Sequence, residues 1–148
     1  MSTETAQRML QAACLLVIGF GALAALAAHP ATDGIMVFFA DLVFWPLDGA
    51  QNAEAPVSRL ILGIAGGLMS GWGVLMLKLA GEGLRTAPEL SLRLIRMSIL
   101  SWFVVDSAAS WVAGAPLNIV GNAVFLVLFL WPVAILGRRY QRQLAQGG

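Results

Sequence analysis

Apolar residues fall into four long runs separated by short polar connections. Leu10 to Ala28 (LQAACLLVIGFGALAALAA), Leu60 to Leu79 (LILGIAGGLMSGWGVLMLKL), Met97 to Ala113 and Leu117 to Leu136 make up these runs. Each has roughly the length a helix needs to cross the hydrocarbon layer of a bilayer, where backbone groups must bond within the segment. The pattern predicts four transmembrane helices over 10–28, 60–79, 97–113 and 117–136. The first run has a competing reading as a signal peptide, with Arg8 as the charged start and small residues around Ala25, Leu26 and Ala27 as the cleavage site. It is longer than a usual signal core, which favours a retained helix. A fifth stretch, Ile35 to Leu47 (IMVFFADLVFWPL), is too short to span. It predicts an outer interfacial or re-entrant helix anchored by Phe38, Phe39, Phe44 and Trp45, interrupted by Asp41 and ended at Trp45-Pro46.

Composition agrees with this layout, since 59% of the 148 residues are hydrophobic and only 11% are charged, against about 25% charged in soluble domains. The expected fold is therefore all-α, a single domain over 1–148 forming an integral membrane four-helix bundle. Charge orients it. Eight of the nine basic residues are Arg8, then Lys78, Arg85, Arg93 and Arg96, then Arg138, Arg139 and Arg142, all flanking apolar runs. Lys and Arg are retained on the cytoplasmic side, so both termini and the Gly81–Arg96 connection are expected there. Residues 29–58, with His29, Asp33, Asp41, Asp48 and Glu54 between prolines, are then outside. A net charge of +1 gives no footprint for nucleic acid.

Asp106 needs an explanation, because it lies nine residues beyond Met97 and seven before Ala113, near the bilayer midplane. An ionised carboxylate is costly there, so Asp106 is expected to face protein or water. At about 100° per residue, Trp102, Ala109, Ser110 and Ala113 share its side, while Leu100, Val104, Ala108 and Trp111 point toward lipid. Asn118 and Asn122 share a face of the next run with Phe125, Leu126 and Phe129. Counting outward from the Ala115-Pro116 turn puts Ser110 level with Asn122, and Asp106 one turn deeper, close to Phe125. The expected polar set is Asp106, Ser107, Ser110, Asn118 and Asn122. It reads either as interhelical glue, the favoured alternative, or as a proton-bearing or solute-contacting site.

Gly63, Gly67 and Gly71 repeat every four residues and predict a helix-packing strip, with Gly66 and Ser70 beside it. That strip serves either internal packing, which is favoured, or an oligomer interface. Trp72 reads as bundle filler, and Trp45, Trp111 and Trp131 as belt residues. The outer acids match no metal motif, Cys14 is the only cysteine and His29 the only histidine. No metal, haem or other cofactor is expected.

The strings DLVFWPLDG, GIAGGLMSGWGV and WFVVDSAASWVAGAPLNIVGN, in this order of spans, resemble a group of small four-span bacterial inner-membrane proteins. In architecture the chain is similar to the DoxX-like membrane proteins. That resemblance implies location and fold and no activity. The expected function is a non-catalytic accessory or structural subunit, partnered by the lipid bilayer and by copies of itself or a larger membrane complex. The alternative is a small transporter or proton-linked carrier using the Asp106 cluster, and an enzyme using the outer acidic segment stands behind both.

Overall fold

A computed structural model describes residues 2–147. Helix makes up 84% of it, and no strand occurs among the described residues, which settles the all-α class. The elements in chain order are α1 (Thr3–Leu26), α2 (Gly34–Phe44), α3 (Pro56–Lys78), a π turn (Leu79–Gly83), α4 (Leu84–Thr86), α5 (Pro88–Val112) and α6 (Pro116–Gly147).

Local chemistry sets the boundaries. Ser2 caps α1 by accepting the Thr5 N–H at 3.0 Å, which satisfies one orphan donor and starts the helix well before the apolar run. Proline opens α3, α5 and α6, where its missing N–H would have had no partner in any case. The prolyl ring also explains where α2 stops, at Phe44, one residue before Trp45-Pro46. Pro88 moves the start of α5 nine residues ahead of the apolar run, so that Arg93 and Arg96 are carried on the helix itself.

Three helices are long and apolar enough to cross a membrane: Thr3–Leu26, Pro56–Thr86 and Pro116–Gln143. These are compatible with a multi-pass membrane protein. The 25-residue α5 matches them in length but carries Arg93, Arg96, Asp106 and five serines, which dilute its apolar character.

α1 is central, packing most extensively on α3 and also against α6. Ala6, Leu10, Ala13, Cys14, Val17, Gly21 and Ala24 recur every three or four residues along α1 and are all buried, the signature of one helical face held against neighbours. Leu10 and Cys14 have no accessible surface, and with Met76, Ile95, Ile99 and Phe129 they form the middle of the core. α5 pairs mainly with α6, while α2 lies against α6 and α1. Phe39 of α2 meets Phe20 edge-on, with ring centres 5.2 Å apart.

The glycine strip does not serve the packing of α3 on α1. A Cβ on Gly67 or Gly71 would meet nothing within 4 Å, and on Gly63 only the Ala28 methyl at 3.5 Å. The close approach runs instead through Gly66 and Gly73. A Cβ on Gly66 would overlap the Ala25 nitrogen and the Gly21 carbonyl, and one on Gly73 would come within 2.7 Å of Ile18. Reciprocally, a Cβ on Gly21 would come within 2.7 Å of Ser70. The Gly63, Gly67 and Gly71 strip is therefore not the side of α3 that meets α1, a distinction that periodicity alone does not make.

Candidate functional site

The polar residues of α5 and α6 are brought together by the turn between them. α5 ends at Val112 and α6 begins at Pro116, and Gly114 between them takes a positive φ of 76°, a conformation suited to glycine. The Ala115 N–H donates to the Ser110 carbonyl at 2.9 Å and closes the turn.

Gly114 is therefore the pivot of the hairpin, with Ser110 and Asn118 each four residues from it and Asp106 and Asn122 each eight. The contacts follow this symmetry. Asn118 Nδ2 donates to Ser110 Oγ at 2.8 Å, and Asn122 Nδ2 donates to Asp106 Oδ2 at 2.6 Å. A diagonal bond joins Asn118 Nδ2 to Asp106 Oδ2 at 3.0 Å, and Asn122 Nδ2 reaches Ser107 Oγ at 3.2 Å. All five expected residues thus meet, but Asp106 lies level with Asn122 and not deeper beside Phe125. The difference comes from the pivot, which is Gly114 and not the Ala115-Pro116 bond.

The orientation of the Asn118 amide follows from its partners. Ser110 Oγ donates its own proton to the Asp106 backbone carbonyl at 2.7 Å, so toward Asn118 it can only accept. Both N–H bonds of Asn118 are then engaged, one by Ser110 and one by the Asp106 carboxylate. The Asn122 amide likewise has both donors occupied by Asp106 and Ser107. Ser110 and Asn122 are buried, whereas Asp106, Ser107 and Asn118 are half-buried. As chemistry, the group is a carboxyl group held by two amides. It holds no nucleophile paired with a base.

Beside this cluster lies a cavity of about 380 Å³ between α1, α2, α3, α5 and α6. Phe20, Phe39, Trp72 and Trp102 wall it, and Asn118 and Asn122 border it. Its aromatic wall was not anticipated from sequence. Trp72 stacks 6.5 Å from Phe129, lies 6.0 Å from Trp102, and donates its indole N–H to Ser98 Oγ at 2.7 Å. A half-buried indole inside a helical packing calls for such an acceptor, and that need was the available clue. The opposite sides of the hairpin, including Val104, Trp111, Val120, Val124, Val127 and Trp131, are exposed.

The segment between α1 and α3 is organised around Asp41. Its carboxylate is buried, with Oδ2 accepting the Gly49 N–H at 3.1 Å, which ties the loop after α2 back onto the helix. His29 Nδ1 accepts the Ala31 N–H at 3.1 Å. Among the described residues, no three His, Cys, Asp or Glu side chains converge as metal ligands would. Comparison with protein-family models, curated proteins and solved structures finds no match for this chain.

Proposed function

We propose that the chain is a non-catalytic, four-span protein of the bacterial inner membrane, with both termini cytoplasmic, that serves as an accessory or structural subunit. α5 is the fourth span in this reading, and the architectural likeness to DoxX-like membrane proteins agrees with it. The observation that carries the proposal is the outer side of α3. There Leu60, Ile61, Ile64, Leu68 and Leu75 are exposed, and Gly67 and Gly71 lie open among them. Open glycines let a second helix approach closely, which is how helices associate in lipid where no hydrophobic force drives them together. The polar cluster supports the same reading, because its amide and hydroxyl donors are engaged between α5 and α6. The central position of α1 favours its retention as a span.

Extraction in mild detergent followed by native mass analysis tests the proposal: a stable partner or defined oligomer is expected, weakened by Gly67→Leu with Gly71→Leu. A monomer unaffected by that pair would defeat the subunit reading. Reporter fusions at Gly81–Glu89 are expected to report the cytoplasm.

A second reading, a small proton-linked carrier, is favoured by the cavity that Asn118 and Asn122 share with the aromatic wall. It predicts a pH-dependent flux in proteoliposomes that is abolished by Asp106→Asn.

A further inference from the structure

At the end of the bundle away from the α5–α6 turn, the two helices border an open cleft of about 710 Å³. Four arginines line it, two from each helix. Arg93 and Arg96 are three residues apart on α5, and Arg138 and Arg142 are four apart on α6, so each pair shares one helical face. None of the four makes an ion pair or hydrogen bond among the described residues. Glu89 is the only acid in the lining, which leaves three net positive charges (4 − 1) around one space. The floor is apolar, formed by Leu92, Leu130 and Val133.

We propose that this cleft is a binding site for an anionic phospholipid carrying two phosphate groups, one held by each arginine pair, with its acyl chains on the Leu92, Leu130 and Val133 floor. The inference rests on the membrane reading above. Orientation alone explains basic residues scattered near a span end, but not their convergence from two helices on one cleft. Arginine forks suit phosphate oxygens, and basic pockets between spans are where such headgroups lodge. A volume of this size lies within the range of small-molecule sites and exceeds what a lone phosphate fills. The apolar floor selects a lipid over a free anion, since inorganic phosphate has no use for it.

The full chain, delipidated in neutral detergent, would be titrated with tetraoleoyl cardiolipin, dioleoyl phosphatidylcholine and inorganic phosphate and read by native mass spectrometry. Cardiolipin is expected to bind at least about tenfold more tightly than phosphatidylcholine, with affinity falling as salt rises. Arg96→Gln with Arg138→Gln is expected to remove that preference, while Arg8→Gln with Lys78→Gln, outside the cleft, leaves it intact. All four side chains are exposed, so these variants are expected to keep the parent unfolding temperature. Equal binding of both lipids, equal loss from the two double variants, or displacement of cardiolipin by millimolar inorganic phosphate would each overturn the proposal. Because the measurement uses detergent-solubilised protein, a failure here leaves topology and partner association to their own tests.

Discussion

Asp106 is held by donors that have no other acceptor of comparable strength, and that asymmetry predicts how substitutions behave. Asp106→Leu leaves Asn118 and Asn122 without their shared acceptor and is expected to cost about 1–3 kcal/mol. Asp106→Asn retains an amide oxygen at the same place and is expected to cost under about 1 kcal/mol. Equilibrium unfolding in mixed micelles measures both, and equal losses would mean that the cluster does not bind as described. Much of this group was legible in the sequence, because 100° steps place Asp106, Ser110, Asn118 and Asn122 on facing sides. The Trp72–Ser98 bond was not, since it joins residues 26 apart on helices whose mutual rotation no periodicity reports.

Helices themselves were the most legible level, as apolar runs, prolines and caps are local signals. Their relative faces were the least. Gly66 rather than Gly67 meets α1, a distinction set by the rotation of α3 about its own axis. Gly66→Ala would push a methyl into the α1 backbone and is expected to destabilise by about 1–3 kcal/mol. Gly71→Ala meets open space and is expected to be neutral or slightly stabilising. Thermal unfolding of the two variants in one detergent separates them. The α5–α6 turn makes a similar test: Gly114→Ala forces an L-residue to φ 76° and is expected to cost about 1–2 kcal/mol. A loss no greater than that of an exposed helical glycine would show that the turn relaxes.

At the scale of the whole molecule, α1 touches α2, α3 and α6 and closes the bundle, although it comes first in the chain. The charge pattern bears on topology without any contact between residues, and the reporter fusions at Gly81–Glu89 are its test. The arginine cleft was not readable, because Arg93 and Arg138 are 45 positions apart and only the α5–α6 pairing brings them to one place.

The lone thiol of the chain, Cys14, lies at the centre where α1 meets its neighbours and has no accessible surface. A bulky maleimide is therefore expected to leave the folded protein unlabelled and to react once the helices part. With no second sulfhydryl to confuse the signal, labelling against temperature would trace disassembly of this bundle without any engineered probe. Rapid modification under native conditions would show that α1 leaves the bundle far more readily than its packing implies.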